Sequence, residues 1–331
     1  MRGKWMAAAL LAALLAAIGP PAYALEAAEL VPVGETIGIR LDLGGVSVAG
    51  LNTVQTAQGE VRPAEDAGLR PGDVITRIGA RETPDAASFL TAVASLDGGS
   101  VEVTALRGGS AVRFTVTPAR SAEGVWQLGL WLRDGMSGIG TVTFYDPASG
   151  TYGALGHGIS DLDSGELLPF RRGEVRASTV ADVIPGRAGA PGELCGAADA
   201  DAAPIGTVAQ NTPAGIFGSA AFDGAPVPVA EESETVLGPA TILANVAGDA
   251  VEAYDVEISR IYRGADDHRF LLLTVTDRDL LERTGGIVQG MSGSPILQGG
   301  KLVGEVTHVL LNDPTRGYGI SIRDMLDAAA A

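Results

Sequence analysis

Residues 290–295, Gly-Met-Ser-Gly-Ser-Pro, carry the clearest indication of chemistry in the chain. A serine hydroxyl attacks a carbonyl carbon only when a base takes its proton and preorganised donors receive the oxyanion. Glycines on both sides of Ser292 let the backbone turn sharply, so the N–H groups of Gly290 and Ser292 could point at one oxygen. The motif predicts Ser292 as a nucleophile with an oxyanion hole at Gly290 and Ser292. A plain Gly/Ser hairpin turn is the alternative.

The same six residues resemble the Gly-Asp-Ser-Gly-Gly-Pro loop that presents the nucleophile in chymotrypsin-like serine proteases. The sequences before and after them read as buried strands around a tight loop. Ser294 is the weaker candidate for the nucleophile, because Pro295 after it keeps its backbone extended.

A serine nucleophile needs a base, and the chain contains three histidines. His157 follows a predicted strand in a loop of small residues, Gly-Ala-Leu-Gly-His-Gly, where its ring could face a cleft. His268 lies in a charged stretch and is predicted to be a solvated loop residue. His308 lies within a strand close behind the serine loop and is more typical of a core or cleft wall. We therefore expect His157 to be the base, with His308 as the alternative.

The base needs an orienting acceptor, for which Asp277 is the first candidate. It ends the apolar run Phe-Leu-Leu-Leu-Thr-Val-Thr, fifteen positions before Ser292. A carboxylate there could be shielded from water and accept a hydrogen bond from an imidazole N–H. Asp161 and Asp279 are rivals, and each of the three aspartates could instead cap a helix or a turn.

Composition excludes several classes of function. The net charge of −17 argues against nucleic acid and against adhesion to an anionic membrane surface, because no basic patch could neutralise phosphates. Cys195 is the single cysteine, so it can form neither an internal disulfide nor a redox pair. No metal or cofactor is expected.

The first residues predict export. Arg2 and Lys4 precede an apolar run over residues 6–18, Pro20 and Pro21 follow, and Ala-Tyr-Ala ends the segment. The run is short for a membrane span, so residues 1–24 are interpreted as a signal peptide, or otherwise as an N-terminal anchor. Residues 25–35 are expected to be a linker.

Residues 36–118 are predicted to be a separate module. Alternating strands are followed by Ala-Gly-Leu-Arg-Pro-Gly-Asp-Val-Ile, by helical spacing over residues 83–96 and by two final strands. This order resembles a PDZ domain of bacterial envelope proteases. The resemblance implies binding of C-terminal or extended peptides along a sheet edge, with Ile37, Gly38 and Ile39 as the tentative edge. A spacer that only positions the next domain is the alternative.

After a polar linker, residues 125–331 contain many short strands with turn signals, as a β-barrel domain would. The fold class expected is mostly β, with an α/β PDZ module before a chymotrypsin-like double β-barrel serine protease domain.

A wider resemblance connects these segments. Tyr-Gly-Ala-Leu-Gly-His, then Thr-Gly-Gly-Ile-Val-Gln before the serine hexapeptide, then Val-Thr-His-Val, Asn-Asp-Pro-Thr and Gly-Tyr-Gly are similar to the stage IV sporulation protein B peptidases, the S55 serine peptidases. The resemblance implies His157 as base, Asp277 as orienting acid and Ser292 as nucleophile.

The resemblance also implies a role. Members are secreted into the forespore intermembrane space and cleave themselves. They also cleave an inhibitory subunit of a membrane metalloprotease complex, which activates a late mother-cell sigma factor. The alternatives are a general envelope PDZ serine protease, in which the protease usually precedes the PDZ domain, and a non-catalytic PDZ scaffold.

Overall fold

A computed structural model of the chain describes residues 28–161, 165–198, 203–263 and 270–331. The predicted signal segment and His268 lie outside these ranges. None of the helices in these ranges combines the length with the apolar character that a membrane span requires.

The fold is mostly β, and its first two strands already belong to the large sheet of the molecule. These strands are β1 (Glu29–Pro32) and β2 (Thr36–Leu51). β1 pairs with a strand from the second half of the chain, at Val31↔Tyr145. The linker predicted over residues 25–35 therefore contains a paired strand of this sheet, which corrects that boundary.

A compact N-terminal unit follows β2. Its elements are β3 (Val54–Thr56), β4 (Gly59–Val61), α1 (Pro63–Asp66), β5 (Val74–Ile78), β6 (Arg81–Glu82), α2 (Ala86–Ala94), β7 (Val101–Arg107), β8 (Ser110–Val116), β9 (Ala119–Arg120) and β10 (Trp126–Gln127). Asp85 caps α2 by accepting a hydrogen bond from Ser88 N–H at 2.7 Å. Buried Asp73 receives two bonds from the Arg107 guanidinium, at 2.7 and 2.8 Å, which fix the Pro-Gly-Asp turn to β7.

The next strands build a closed circuit with β2. They are β11 (Leu130–Asp146), β12 (Thr151–Ala154), β13 (Arg172–Ile184), β14 (Glu193–Ala198), β15 (Gly206–Thr212), β16 (Gly215–Ala220) and β17 (Val227–Pro228). The pairing order β11-β12-β16-β15-β13-β2 returns to β11, because β2 also pairs with β11. We call these six strands the first circuit. β14 pairs with β13, and β17 pairs with β1.

The last part of the chain forms a six-stranded closed barrel. Its elements are β18 (Gly238–Ala244), β19 (Glu252–Ile261), β20 (Leu271–Val275), α3 (Arg278–Thr284), β21 (Pro295–Gln298), β22 (Lys301–Leu310), β23 (Asp313–Ser321) and α4 (Ile322–Ala330), and a 3₁₀ turn (Glu232–Glu234) precedes β18. Aliphatic side chains fill its interior, among them Ile242, Ile258 and Leu273. Met325 of α4 packs against Phe144 and Phe217 of the first circuit. The C-terminal helix therefore connects the barrel to the first circuit.

β2 and β11 form one long antiparallel pair that passes through both the first circuit and the N-terminal unit. Thr36↔Thr141 and Leu41↔Met136 lie in the circuit, and Val46↔Asp134 and Leu51↔Leu130 lie beyond a bulge, beside β5. The N-terminal unit is therefore an insertion at the end of a β-hairpin whose base belongs to the first circuit.

This topology corrects the predicted peptide edge. Ile37, Gly38 and Ile39 pair with β11 on one side, at residues 138–140, and with β13 on the other, at residues 175–177. Both edges of this segment are occupied, and the two isoleucine side chains are buried. No peptide can add as a strand at Ile37–Gly38–Ile39 without breaking the circuit.

The hairpin topology predicts which deletion the fold tolerates. Replacing residues 42–135 with Asn-Gly joins the paired residues Leu41 and Met136 by a two-residue turn and keeps the circuit intact. We expect this variant to unfold in a single cooperative thermal transition. Deleting residues 36–118 removes a circuit strand and should leave no cooperative transition. The opposite ranking by calorimetry would contradict the topology.

Candidate active site

A cleft of about 720 Å³ opens between the first circuit and the barrel. It contains Ser292, Gly290, His157 and His308, so the structure brings together the predicted nucleophile, the oxyanion glycine and two of the three histidines. Apolar side chains make up most of the wall: Ile39, Met136, Ile139, Leu155, Ile159, Ile287, Val288, Val309 and Leu311.

Ser292 is half-buried at the wall of the cleft, and its hydroxyl donates a hydrogen bond to the Thr307 carbonyl at 2.6 Å. Ser294 is fully buried, and its hydroxyl has no hydrogen-bond partner among the described residues. Of the two serines of the hexapeptide, only Ser292 lines the cleft.

The loop that carries Ser292 depends on two glycines with left-handed backbone. Gly290 and Gly293 both have φ of 98°. A side chain at Gly293 would place its Cβ 2.1 Å from Thr141 O and 2.5 Å from Leu155 N. Only glycine therefore lets this loop approach the first circuit so closely. The N–H groups of Gly290 and Ser292 donate to no acceptor within the described ranges, which leaves them free to bind an oxyanion.

Thr141 of β11 joins the loops of the nucleophile and of the histidine. Its N–H donates to Ser292 O at 3.0 Å, and its carbonyl accepts from Leu155 N at 3.1 Å. Its hydroxyl donates to Gly290 O at 2.7 Å. Three hydrogen bonds at one buried residue thus fix the position of the serine loop of the barrel relative to the first circuit.

His157 follows β12 in a tight loop of which Leu155 is part. Leu155 has φ of 76°, the one positive value at a non-glycine residue in the described ranges. His157 Nδ1 lies 2.9 Å from Gly158 O; because a carbonyl can only accept, Nδ1 carries the proton and Nε2 is the basic nitrogen. Burial lowers the pKa of His157, and the bond to Gly158 opposes this effect. The ring is therefore neutral at pH 7, as a general base must be.

His308 also reaches the cleft, as the prediction of a cleft-wall residue allowed. Its side chain is exposed on β22, and its ring centroid lies 4.9 Å from that of His157. It directly follows Thr307, the residue whose carbonyl binds the Ser292 hydroxyl. Sequence order alone did not indicate that the two rings would be neighbours.

Asp277 occupies a different place. It is the N-cap of α3, where Oδ1 accepts from Leu280 N at 2.9 Å and Oδ2 accepts from Asp255 N at 3.3 Å. It does not line the cleft, and its hydrogen bonds do not include His157. Helix capping was the alternative that the sequence left open for this residue. Asp279 is exposed in the first turn of α3, and Asp161 is buried in the loop after His157.

The family described as SpoIVB peptidase S55 matches residues 124–326. The chain belongs to this family. It is accordingly a serine endopeptidase, and the match spans both the first circuit from β11 onward and the barrel. No curated protein matches the chain.

Among solved structures, the peptidase is similar to the Rv3671c protease in its inactive form. The identity is 15%, the TM-score is 0.36, and the match covers 58% of this chain and 83% of that one. A serine-to-alanine mutant of Rv3671c from M. tuberculosis H37Rv, also inactive, gives 13%, 0.33, 57% and 80% for the same quantities. At these scores the likeness adds nothing to the description of the fold.

An ionisable residue that the sequence did not indicate lies beneath the histidine loop of the peptidase. Glu305 of β22 is fully buried, and neither carboxylate oxygen has a hydrogen-bond partner in the described structure. A Cβ on Gly156, the residue before His157, would lie 2.8 Å from Glu305 Cγ. Burial, and to a lesser degree the charge of Asp324, raises the pKa of Glu305 well above its ordinary value. The side chain is therefore held protonated under the histidine loop.

The hydroxyl of Thr141 should matter for activity. Thr141→Val keeps the shape but removes the bond to Gly290 O, so the serine loop loses a restraint beside the predicted oxyanion donor. We expect kcat/KM to fall by about tenfold to a hundredfold with a small change in melting temperature.

Thr143→Val is the matched control for Thr141→Val. Thr143 is buried in the same strand, and its hydroxyl has no partner within the described residues. Its replacement should leave kcat/KM unchanged. Equal losses in the two variants would show that the hydroxyl of Thr141 has no special role.

Glu305 should make stability depend on pH. A carboxyl whose pKa is raised by folding keeps its proton in the native state while the unfolded chain has lost it. Stability therefore falls as pH rises from the ordinary carboxyl value of about 4.3 towards the raised value. Glu305→Gln cannot ionise. We expect its melting temperature, relative to wild type, to increase between pH 5 and pH 8.5. A constant difference across that range would contradict the buried, protonated carboxyl.

Proposed function

We propose that the chain is an exported signalling serine endopeptidase of sporulation. In this proposal it acts in the forespore intermembrane space or cell envelope, cleaves itself, and cleaves an inhibitory subunit of a membrane metalloprotease complex, which then activates a late sigma factor. The family match over residues 124–326 supports the peptidase activity. The observation that carries it is that one cleft contains Ser292, His157 and two N–H groups that donate to no acceptor among the described residues.

The proposed mechanism uses Ser292 as the nucleophile and His157 as the general base. The serine hydroxyl leaves the Thr307 carbonyl, gives its proton to His157 Nε2 and attacks the substrate carbonyl. The oxyanion that forms is received by the N–H groups of Gly290 and Ser292. The protonated imidazole then donates its proton to the leaving amine, and water repeats the sequence on the acyl-enzyme. His157 Nδ1 keeps its proton throughout, bound in the resting state to Gly158 O.

The hydrogen bond from the Ser292 hydroxyl to the Thr307 carbonyl suggests that the serine is not activated before substrate binds. A hydroxyl that donates to a backbone carbonyl at 2.6 Å is not donating to a base. Substrate that enters the cleft would have to turn the hydroxyl towards the imidazole. Such a requirement suits a signalling protease, which must not cut protein indiscriminately.

We further propose that the first circuit and the barrel are the two halves of a chymotrypsin-like double barrel. His157 follows a circuit strand and Ser292 precedes a barrel strand, and the cleft lies between them. In the same proposal the N-terminal unit is a PDZ module that binds extended peptides of the protein substrate. Its helix wall is α2, which lies beside β10 and the start of β11.

Labelling with an active-site probe tests the function. A fluorophosphonate should modify the wild-type mature protein and Ser294→Ala, but not Ser292→Ala, because only Ser292 lines the cleft. Self-cleavage, followed by mass spectrometry, should show the same pattern. Labelling of Ser292→Ala would contradict the choice of nucleophile. Absence of labelling and of self-cleavage in every form would favour the non-catalytic scaffold.

Asp277 needs a separate test, because the family resemblance implies an orienting acid whereas Asp277 caps α3 in the structure. Asparagine caps about as well as aspartate but cannot stabilise an imidazolium. If Asp277 only caps, Asp277→Asn should keep near-normal turnover and melting temperature. If it exchanges the cap for His157 during catalysis, turnover should fall by up to about 10⁴ at an unchanged melting temperature. The structure leads us to expect the first result.

A further inference from the structure

The outer edge of β11 is unusual because it runs past both the N-terminal unit and the catalytic cleft. One edge of this strand pairs with β2 from Leu130↔Leu51 to Thr141↔Thr36. The opposite edge is covered by β12 only from Val142↔Ala154 onward. Along residues 130–140, that opposite edge therefore has no strand partner within the described chain.

Hydrogen bonds at Thr141 show which backbone groups face this edge in the cleft. The N–H and carbonyl of Thr141 bond to Ser292 and Leu155, on the side away from β2. The two sides alternate along a strand, so the N–H and carbonyl groups of Ile139 and Ser137 point the same way. Both residues line the cleft that contains Ser292.

The backbone groups of β11 beside the N-terminal unit alternate in the same way. Val48 of β2 bonds to Asp73 and Gly72, on the side away from β11, so its neighbour Ser47 bonds towards β11 at Arg133. Leu132 and Asp134 then present their N–H and carbonyl groups to the open edge. Between the two segments lies Gly135, with φ of 60°, where the ladder with β2 shifts register. The bulge puts Gly135 and Met136 between the edge-facing residues Asp134 and Ser137, so a strand added along this edge would pass one unpaired position there.

α2 provides a wall along the segment that contains Leu132 and Asp134. Ala86 N, at its start, donates to the Asp134 carboxylate at 2.7 Å. Leu90 lies one turn further along the same face and is 62% exposed. Leu130 and Leu132 pack on the same apolar cluster as α2. An exposed leucine on the helix, two half-buried leucines on the strand and free backbone groups together form a groove for an extended apolar segment.

We propose that the open edge of β11, from Leu132 to Ile139, binds a single extended segment of the protein substrate as an added β-strand. The N-terminal unit and the catalytic cleft would then hold one continuous stretch of chain. The inference rests on the proposed peptidase function and adds how its substrate is recognised. Seven strand steps span about 23 Å, so about eight substrate residues would be held. The apolar walls at both ends favour a segment with apolar side chains.

The first test measures the period of backbone contacts. The probe is a quenched peptide of twelve residues that copies the sequence at which the protein cleaves itself, mapped by mass spectrometry. Strand addition uses every second substrate N–H, so N-methylation at alternate positions should lower kcat/KM by about tenfold or more. Methylation at the positions between them should have little effect. Uniform sensitivity, or none, would overturn the proposal.

The second test separates the two ends of the edge. Leu90→Glu should raise KM for the twelve-residue peptide by about tenfold, with kcat nearly unchanged, because it places a charge in the groove beside α2. A peptide trimmed to the residues nearest the cut should be unaffected. Leu237→Glu is the matched control, since Leu237 is also 62% exposed but does not line the cleft or α2. Equal KM values for Leu90→Glu and wild type would overturn the inference.

These outcomes are distinct from failure of the proposed function. If the wild-type protein cuts no probe and is not labelled at Ser292, the function itself is wrong. If it is labelled and cuts both peptides with the same KM, the peptidase function stands and the shared edge does not.

Discussion

The active site depends on one backbone junction, at which Thr141 holds the serine loop of the barrel against the first circuit. The N–H of Thr141 binds Ser292, its carbonyl binds Leu155, and its hydroxyl binds Gly290. Each bond is ordinary in strength, but all three converge on one buried residue, so together they restrain the loop more than any of them would alone. Two main-chain hydrogen bonds and one from the Thr141 hydroxyl therefore set the position of the Ser292 loop relative to the loop that leads to His157.

This junction accounts for the composition of the loops around it. Gly293 must lack a side chain, because Thr141 O and Leu155 N already occupy the space. Leu155 accepts a left-handed backbone because its N–H is held by Thr141, and strain of this kind is common where a catalytic loop is fixed by its surroundings. Below the loop, Glu305 adds a fully buried, ionisable carboxyl group beside Gly156. The loops held by Thr141 are thus rigid, whereas the stability of the region around Glu305 depends on pH.

Local patterns singled out Ser292, which the structure places at the wall of the cleft, because the glycines of the Gly-Met-Ser-Gly-Ser-Pro loop indicate a tight turn from sequence alone. Ser292 as nucleophile stays a prediction. Local patterns also predicted α2 and the final strands of the N-terminal unit to within a few residues. They wrongly predicted a free sheet edge at Ile37, Gly38 and Ile39. Alternation of apolar residues predicts a strand, but it does not show which strands pair with it on either side. Glu305 was invisible for a related reason: a glutamate in a strand is expected to face solvent, and only the tertiary fold buries it. Asp277 stayed ambiguous because a helix cap and a catalytic acid use the same residue type.

The insertion of the N-terminal unit between β2 and β11 has a consequence for folding. Leu41 and Met136 are far apart in the sequence, so bringing them together costs more chain entropy than closing a tight turn. The first circuit is incomplete until these two residues pair. Once the inserted unit has folded, it holds Leu51 beside Leu130 and so acts as a preformed turn. The peptidase half should therefore become protected from hydrogen exchange only after the inserted unit does. Substitutions that unfold the N-terminal unit would then slow the formation of the active site, although none of the substituted residues lies in that site.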